Sequence, residues 1–307
     1  MKQGRTVLIL GAAGQVGTQL RGVFEKDDTV IAVDRTVVDL AQPEQIRAVI
    51  RRVRPQLILN AAAYTAVDKA ESEREIAMAI NARAPGIVAE EARQIDALLV
   101  HYSTDYVFDG SKTEPWTEDD APNPLNVYGA SKLAGEASIR QAGGRYLIFR
   151  TSWVYASSGK NFLVTMLQLA RTRSEIRVVC DQSGRPTTSI ELATATRRIV
   201  DGVFAGQYGS AHEWSGLYHM ACTGNTNWFE FAKAIFERAE ARLSARVPTV
   251  TPIPSSEYRT PAARPRNSVL STARLHDRFG VQLASWESAL DAEFDILQSA
   301  TLNPLQS

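Results

Sequence analysis

Residues 6–17 read TVLILGAAGQVG, and this stretch decides the fold. Val7–Leu10 is an apolar run typical of a buried parallel strand. Glycines follow it at positions 11, 14 and 17, where a helical pattern over Gly14–Lys26 begins. Glycine permits a tight turn and a close approach of the backbone to a pyrophosphate, and the helix N-terminus supplies free amides. The stretch therefore predicts a strand, a phosphate-binding turn and a helix.

The alternation of strand and helix continues through the first half of the chain. Further parallel strands are predicted at Val30–Val33, Leu57–Leu59, Leu98–His101 and Leu147–Phe149, and helices between them at Pro43–Val53, Glu73–Gln94 and Asn126–Ala142. This order predicts an α/β fold with a doubly wound, Rossmann-like parallel sheet.

The pattern is less regular after Arg150. We expect a helix at Phe162–Arg171, a strand at Ile176–Cys180, a helix at Ile190–Phe204, a strand at Leu217–Ala221 and a helix at Asn227–Leu243. Prolines 248, 252, 254, 261 and 265 predict an extended loop, followed by two short helices. We predict a dinucleotide-binding domain over residues 1–150, with elements near 174–206 returning to it. Residues 151–307 are predicted to form mainly a smaller mixed α/β substrate-binding domain.

Composition is ordinary for a globular protein, with 44% hydrophobic and 22% charged residues. Lys plus Arg and Asp plus Glu both total 34, and a net charge of zero disfavours a nucleic-acid binder. The N-terminal apolar run is too short for a signal peptide, and no stretch approaches a membrane span. We therefore expect a cytoplasmic protein without nucleic-acid or membrane partners. Cys180 and Cys222 have no C-x-x-C spacing, so we expect free thiols.

Two neighbouring residues make opposite predictions about the coenzyme. Asp34 lies 23 residues after Gly11, where a carboxylate accepts the ribose 2′-hydroxyl of NAD and repels a 2′-phosphate. Arg35 beside it can instead pair with the 2′-phosphate of NADP. The residues thus leave NADH and NADPH both open as coenzymes.

A tyrosine and a lysine four residues apart form the candidate proton-donating pair. Tyr128 and Lys132 lie on one face of the helix predicted at Asn126–Ala142. An ammonium one turn away favours the phenolate, so we expect a lowered pKa for Tyr128. Thr104 follows the fourth strand, where its hydroxyl can bond the same carbonyl oxygen. This set predicts hydride transfer between a nicotinamide coenzyme and a carbonyl carbon.

Small residues end the third strand. Ala61, Ala62 and Ala63 suit a flat wall beside the coenzyme, although core alanines are an equally simple interpretation. Asn81 has two interpretations as well. It can fix backbone and water near the lysine, or it can be a purely structural helix asparagine.

Several longer strings resemble one enzyme family. They are Asn60–Glu71 (NAAAYTAVDKAE), Ser103–Gly110 (STDYVFDG), Pro124–Glu136 (PLNVYGASKLAGE), Arg150–Tyr155 (RTSWVY), Asn161–Phe162, Asp181–Thr187 and Arg264–Ser268. Together with the glycine-rich turn and the Tyr128/Lys132 pair, they resemble the extended short-chain dehydrogenase/reductase superfamily. Within it, the chain is similar to the dTDP-4-dehydrorhamnose reductase family over nearly its whole length.

The resemblance implies reduction of the C4 ketone of dTDP-4-dehydro-L-rhamnose, the last step of dTDP-rhamnose synthesis. It implies Tyr128 as proton donor, Lys132 as its helper and Thr104 as the second hydroxyl. The implied coenzyme contacts, with those argued above, are Gly11, Gly14, Gln15, Val16, Gly17, Asp34, Arg35, Asp39, Leu40, Ala61, Ala62, Ala63, Tyr64, Thr65, Tyr128 and Lys132. The expected substrate contacts are Thr104, Asp105, Tyr128, Trp153, Arg185, Arg264 and Arg266.

Some of these substrate contacts have a second interpretation. Trp153 matches a residue that packs on the sugar, but an indole there also suits a core position. Arg185, Arg264 and Arg266 are candidates for the substrate diphosphate by charge and placement only.

The family includes metal-bridged dimers, which raises the question of Mg²⁺ and of a homodimer. The available carboxylates, Glu191, Asp291, Glu293 and Asp295, show no convincing ligand pattern. We therefore predict no metal ligand, and leave both Mg²⁺ and a homodimer open.

Two other functions share parts of this pattern. Epimerases and dehydratases on related nucleotide sugars use the same Tyr/Lys pair, but dehydratases add acidic residues beside the threonine. Asp105 is adjacent to Thr104, and no Glu follows it, which counts against a dehydratase. A non-catalytic, NADP-binding regulatory subunit would not need Tyr128 or Lys132, and this chain has both.

Overall fold

The strands of the protein are short, and half of them build one sheet. The structure is a computed structural model that describes residues 4–302. Its strands are β1 (Thr6–Leu10), β2 (Thr29–Val33), β3 (Leu57–Asn60), β4 (Leu98–Thr104), β5 (Arg145–Thr151), β6 (Val154–Tyr155), β7 (Glu175–Val179), β8 (Ser183–Gly184), β9 (Thr187–Thr188), β10 (Gly216–His219), β11 (Thr226–Asn227) and β12 (Thr249–Ile253).

The helices alternate with these strands in the first half and dominate the second. They are α1 (Gln15–Phe24), α2 (Pro43–Val53), α3 (Val67–Ala70), α4 (Arg74–Met78), α5 (Ala84–Gln94), α6 (Val127–Ala142), α7 (Phe162–Ala170), α8 (Ser189–Phe204), α9 (Ala211–Trp214), α10 (Trp228–Leu243), α11 (Ala273–Phe279) and α12 (Trp286–Leu302). A π-helical segment, Ala79–Arg83, joins α4 to α5, and short 3₁₀ turns lie at Asp105–Val107 and Ser255–Glu257.

The six-stranded sheet has the order β10-β5-β4-β3-β1-β2, and every pair in it is parallel. Because β1 lies between β2 and β3, the chain changes direction across the sheet there. Ligands bind at such a switch point, outside the carboxyl ends of the strands. The doubly wound α/β fold predicted from the sequence is confirmed.

Each face of this sheet is covered by its own apolar layer. Ile46 of α2, Val88 of α5 and Ile139 of α6 pack with Leu8 and Ile58 on one face. On the opposite face, α1 packs against α8, and the cluster extends into α7, α10 and α12. Parallel strands covered on both faces are continuously apolar, which explains the strength of the strand signals in the sequence.

Elements of the second half of the chain also pack against the main sheet. α8 packs against α1, within the region 174–206 expected to return to the first domain. β10 also joins the main sheet beside β5, although it lies beyond that region. The remaining strands form two-stranded ladders, β6 with β9, β7 with β12 and β8 with β11. Both cysteines are free, as predicted, and no helix within residues 4–302 is long and apolar enough to cross a membrane.

Three predicted elements were wrong in part. The single helix at Glu73–Gln94 is divided by the π-helical segment, because Pro85 has no N–H to donate to the carbonyl of Asn81, four residues earlier. The proline-rich segment contains β12, whose Pro252 pairs with Val178, since proline is compatible with a strand at a ladder edge. The last helix, α12, has 17 residues and is not short.

The freed carbonyl of Asn81 is met by a glycine on α6. A methyl group built on Gly135 would overlap the Asn81 oxygen. We therefore expect Gly135→Ala to lower the free energy of unfolding by about 1–3 kcal/mol, because α6 must move away from the π-helical segment. Urea denaturation measures this change.

Gly22→Ala is the matched control, since Gly22 is also a helical glycine and has nothing within 4 Å of its added methyl group. It should be more stable than the natural chain, by about 0.5–1 kcal/mol. Equal stability of the two variants would show that α6 does not need the close approach at Gly135.

Candidate active site

A cleft of about 1070 Å³ opens at the carboxyl ends of the sheet strands. Its walls come from the segments after β1, β2, β3, β4 and β5 and from the start of α6. Of the residues predicted for the site, the following line it: Gly11, Gly14, Gln15, Val16, Asp34, Arg35, Asp39, Leu40, Ala61, Ala62, Ala63, Tyr64, Thr65, Thr104, Asp105, Tyr128, Lys132 and Trp153.

Four predicted residues are not among those that line the cleft: Gly17, Arg185, Arg264 and Arg266. Gly17 is buried, and a methyl group on it would overlap the backbone oxygen of Gly11. Its role in the structure is to let α1 pack tightly on the turn that precedes it.

The N-terminus of α1 faces the cleft without a capping side chain. Gly14 is its N-cap in an extended conformation, and no side chain accepts from the first amides of the helix. Gly11 has a φ of 81°, which favours glycine, and a methyl group there would overlap the backbone of Ala62. Free amides and the helix dipole at this point fit the diphosphate of a dinucleotide coenzyme.

A loop from the second half lies across this turn. Asn161 caps α7 by accepting from Val164 N at 3.0 Å, and its Nδ2 donates to Gln15 Oε1 at 2.9 Å. This contact brings Ser158, Gly159 and Lys160 to the wall of the cleft. No sequence pattern pointed to Lys160, because a lone loop lysine looks like a surface residue.

One end of the cleft contains both Asp34 and Arg35, the two residues that made opposite predictions about the coenzyme. Asp34 Oδ1 accepts from Thr36 Oγ1 at 2.6 Å and from Thr36 N at 2.8 Å. These hydrogen bonds lower the pKa of Asp34 below its usual range, so the carboxylate is charged at neutral pH. Arg35 lines the same end of the cleft, and the structure therefore presents an anion and a cation side by side.

The wall formed by Ala61, Ala62 and Ala63 is anchored to α6 by Asn81. Asn81 Oδ1 accepts from Tyr64 N at 2.8 Å, and its Nδ2 donates to Tyr64 O and to Ser131 Oγ, both at 3.0 Å. The side chain of Tyr64 bonds Glu73. Asn81 therefore has a structural role, and through it Asn81 also holds one wall of the cleft in place. This outcome combines the two interpretations that its sequence context allowed.

The start of α6 brings Tyr128 to Thr104. Asn126 caps the helix by accepting from Gly129 N at 2.8 Å, and a methyl group on Gly129 would overlap the carbonyl oxygen of Tyr106. This close approach brings the Tyr128 hydroxyl near that of Thr104 in the wall of the cleft. Thr104 Oγ1 also donates to Asp105 Oδ1 at 2.9 Å.

The pKa of Tyr128 differs from the sequence-based expectation. Burial raises it from 10.0 to about 12, and the Asp105 carboxylate adds to this, while the bond to Thr104 offsets it only in part. Burial outweighs any effect of the Lys132 amine, whose Nζ contacts the Tyr102 carbonyl and His101 on the sheet. The phenol therefore keeps its proton at neutral pH, as a proton donor must.

Lys132 is 1% exposed and its Nζ has two partners behind the cleft. It donates to the carbonyl of Tyr102 at 2.6 Å and lies 3.2 Å from His101 Nε2. Burial lowers the pKa of Lys132 to about 8, and the Glu136 carboxylate raises it only in part. No sequence pattern identified His101 as a neighbour of the lysine.

Trp153 forms part of the wall of the cleft. Its indole stacks on Trp228 with 3.5 Å between ring centroids and 8° between planes. Its backbone has a φ of 47°, and Gly184 leaves room for the ring, since a methyl group there would overlap it. Trp228 also lines the cleft and was missed, because it looks like an ordinary residue at the start of a helix.

The three candidate arginines differ in their partners. Arg264 forms an ion pair with Asp68 at 3.0 Å, and the Arg266 side chain is 79% exposed, 3.9 Å from Asp181. Arg185 is half-buried and donates to the amide oxygen of Asn225 at 3.0 Å. Burial lowers its pKa.

The carboxylates considered for a metal are engaged in other contacts. Glu191 accepts from Ala284 N, Glu293 from Ser157 N, and Asp291 and Asp295 pair with Arg242. Within residues 4–302, no group of three or more His, Cys, Asp or Glu side chains is arranged to hold a metal ion.

Asp105, in the wall of the cleft, makes the free energy of unfolding of the protein depend on pH. Burial raises its pKa from 3.8 to about 7, and hydroxyl contacts with Ser268 and Thr104 offset this only in part. Between about pH 4 and 7 the folded protein therefore holds a proton that the unfolded chain releases, so this group makes the protein less stable as pH rises. We expect Asp105→Asn to gain about 3 kcal/mol relative to the natural chain as pH rises from 5 to 8.

Urea denaturation at several pH values measures this difference. Asp109→Asn is the control, because hydrogen bonds lower the pKa of Asp109 and its charge does not change above pH 5. Its stability should follow that of the natural chain at a constant offset. If the free energy of unfolding of Asp105→Asn also follows that of the natural chain at a constant offset over this pH range, the raised pKa of Asp105 is contradicted.

The chain is similar to known proteins over most of its length. The family model for the RmlD substrate binding domain matches residues 5–299. The dTDP-4-dehydrorhamnose reductase of Burkholderia thailandensis is 44% identical over 295 residues, covering 92% of this chain and 96% of the relative. The enzyme of the same name from Escherichia coli K12 is 41% identical over 286 residues, covering 92% and 94%.

A solved structure agrees with these relatives. The crystal structure of dTDP-4-dehydrorhamnose reductase from Bacillus anthracis in complex with NADP has a TM-score of 0.88 and 37% identity. The match covers 95% of this chain and 99% of that one. The sequence identity, the coverage and the fold all indicate the same family, whose names describe a reductase, as the cleft does. The chain therefore belongs to the dTDP-4-dehydrorhamnose reductase family.

Proposed function

We propose that the protein reduces the C4 ketone of dTDP-4-dehydro-L-rhamnose to dTDP-L-rhamnose, with NADPH or NADH as coenzyme. The observation that carries this proposal is that Thr104 and Tyr128 lie close together in the wall of one cleft, which begins at the glycine-rich turn. Two hydroxyls that converge beside a dinucleotide site suit a single carbonyl oxygen. The family relationship supports the ketosugar as the substrate.

Bound coenzyme would supply the hydride to the ketone carbon. Tyr128 holds a proton at neutral pH, because burial raises its pKa, and it gives this proton to the ketone oxygen. Thr104 exchanges its bond to Asp105 for one to the same oxygen. Lys132, one helical turn from Tyr128, contributes positive charge as the phenolate forms.

The chain's own residues divide the coenzyme among three regions. The amides at Gly14, Gln15 and Val16, with Lys160 opposite them, would hold the diphosphate. Asp34 and Arg35 would meet the adenosine ribose, with Asp39 and Leu40 on the adenine side. Ala61, Ala62 and Ala63 would form the wall beside the nicotinamide.

For the substrate, Trp153 would pack on the sugar and Asp105 would lie beside it. Arg185 is the strongest of the three diphosphate candidates. Its hydrogen bond goes to an amide, whereas Arg264 is paired with a carboxylate. Arg266 is mostly exposed, so an ion pair between it and the substrate diphosphate would stay in water and contribute little to binding. A cytoplasmic location and a homodimer stay predictions.

The test is reduction of dTDP-4-dehydrorhamnose with NADPH or NADH, followed by absorbance of the reduced coenzyme and NMR of the product. We expect one coenzyme oxidised for each dTDP-L-rhamnose formed, and a rate about 10²–10⁴-fold lower in Tyr128→Phe, with coenzyme affinity kept. Tyr155→Phe is the control, because Tyr155 is buried outside the cleft and should keep its rate.

No turnover by the folded natural chain with either coenzyme would refute the proposal. Turnover without net coenzyme oxidation would instead identify an epimerase, which restores its coenzyme in each cycle. Full activity of Tyr128→Phe would remove the phenol as proton donor.

Coenzyme choice should depend on the two charges at the ribose end. Arg35→Ala is expected to raise KM for NADPH by about tenfold and to leave KM for NADH nearly unchanged, because only NADPH carries a 2′-phosphate. Asp34→Ala should do the reverse, since it removes the acceptor for the 2′-hydroxyl.

Steady-state kinetics with each coenzyme measure both effects, and Arg52→Ala, an exposed arginine on α2, is the charge-matched control. Equal changes in KM for the two coenzymes would contradict a role for these residues in discrimination.

A further inference from the structure

A polar pair lies in the apolar layer between the sheet and α6. Asn60 of β3 and His101 of β4 are register partners, and their side chains are on the face that α6 covers. They are 1% and 0% exposed, among Ile58, Leu99 and Ile148. A buried imidazole in such a layer costs free energy unless both ring nitrogens have partners.

Both ring nitrogens of His101 have a hydrogen-bond partner. Asn60 Nδ2 lies 3.1 Å from Nδ1, and Lys132 Nζ lies 3.2 Å from Nε2. Asn60 Oδ1 accepts from Ala62 N at 3.3 Å. The imidazole therefore connects the wall of the cleft to the amine of Lys132.

The charge of Lys132 decides which nitrogen of His101 carries the proton. An ammonium group only donates, so Nε2 must accept, and the imidazole proton must be on Nδ1. Nδ1–H then needs an acceptor, which the amide of Asn60 provides once it turns its oxygen to the ring and gives up the long 3.3 Å hydrogen bond from Ala62 N. In this state Lys132 has two acceptors behind it, His101 Nε2 and the carbonyl of Tyr102.

A neutral amine reverses the arrangement. Its lone pair accepts from Nε2–H, so Nδ1 is the acceptor and the NH₂ group of Asn60 faces it. Burial keeps the imidazole itself uncharged, since it lowers the pKa of His101 well below its usual range. The lysine charge, the histidine tautomer and the Asn60 amide therefore change together.

The ammonium state has a consequence for the cleft. Two of its three N–H groups point at the sheet, toward Tyr102 and His101, and tetrahedral geometry directs the third away from both. Lys132 also lines the cleft, one helical turn from Tyr128.

We propose that His101 is a positioning residue for Lys132: a neutral imidazole fixed by Asn60 accepts from the ammonium and directs its remaining N–H toward the cleft. The inference rests on the role assigned to Lys132 in the proposed function.

Other titratable groups face this pair from neighbouring elements. On α6, Tyr128 and Glu136 lie one turn on either side of Lys132, and Glu136 pairs with Arg150 of β5 at 2.7 Å. Asp105 follows β4. The π-helical segment contributes uncharged Asn81, while its Arg83 faces Glu75 at 3.7 Å with both side chains mostly exposed. Glu136 raises the pKa of Lys132 but also pairs with Arg150, and the Tyr102 acceptor belongs to the main chain, so His101 is the side chain in contact with Nζ that a substitution can remove.

The first measurement is the pH profile of kcat for ketone reduction. His101→Leu removes the acceptor and makes the buried ammonium less stable, so we expect a rate at least tenfold lower and an alkaline limb about one pH unit lower. His101→Gln places an amide oxygen near the position of Nε2 and cannot titrate. It should recover most of the rate and keep the limb of the natural chain.

His219→Gln is the matched control. His219 is also fully buried on the main sheet, in β10, and its Nδ1 bonds the carbonyl of Trp116. This variant should leave the alkaline limb unchanged. The proposal would be overturned if the alkaline limb of the pH profile is unshifted in His101→Leu. It would also be overturned if His101→Gln loses as much rate as His101→Leu, which would mean that the imidazole must itself transfer a proton.

The second measurement needs no turnover and stands if His101→Leu fails to fold or the ketosugar proves to be the wrong substrate. NMR of ¹⁵N-histidine-labelled protein reports which ring nitrogen is protonated, and His101→Gln assigns the signal among the four histidines. We expect the His101 proton to move from Nδ1 to Nε2 as pH rises through about 8, and this shift to be lost in Lys132→Met. A tautomer that ignores both pH and Lys132→Met would overturn the proposal.

Discussion

The close packing of α6 against β4 is the contact on which the rest of the cleft depends. Ser103 Oγ donates to Glu136 Oε1 at 2.6 Å, and Arg150 holds the same carboxylate through two hydrogen bonds. A buried ion pair contributes little net stability, but breaking one is expensive, so it fixes the position of the helix along the strand. Lys132, one turn before Glu136, is therefore held beside the end of β4.

The second support of the cleft is the interruption between α4 and α5. Pro85 frees the carbonyl of Asn81, and the resulting π-helical turn directs the Asn81 side chain to the segment after β3. Three hydrogen bonds from one amide then hold both the alanine wall and α6. A local irregularity of this kind is typical of functional sites, because regular helix geometry would point the side chain elsewhere.

The sequence predicted the sheet well because each buried strand is a continuous apolar run. It predicted the residues around the glycine-rich turn because short-range spacing along the chain determines their positions. It predicted less where distant segments meet. Trp228 and Lys160 reach the cleft from the second half of the chain, and His101 meets Lys132 only through the packing of a helix on a sheet. The expected fall in the pKa of Tyr128 was wrong for a related reason, since burial depends on the whole fold.

The two stacked indoles belong to one small unit. β8 ends at Gly184, against which Trp153 packs, and β8 pairs with β11, whose last residue caps the helix that begins with Trp228. One two-stranded ladder thus carries both neighbours of the Trp153 ring. A flat aromatic surface that is ordered before a ligand arrives loses little rotational freedom on binding, so a ligand packed on it would incur little further entropic cost from these side chains.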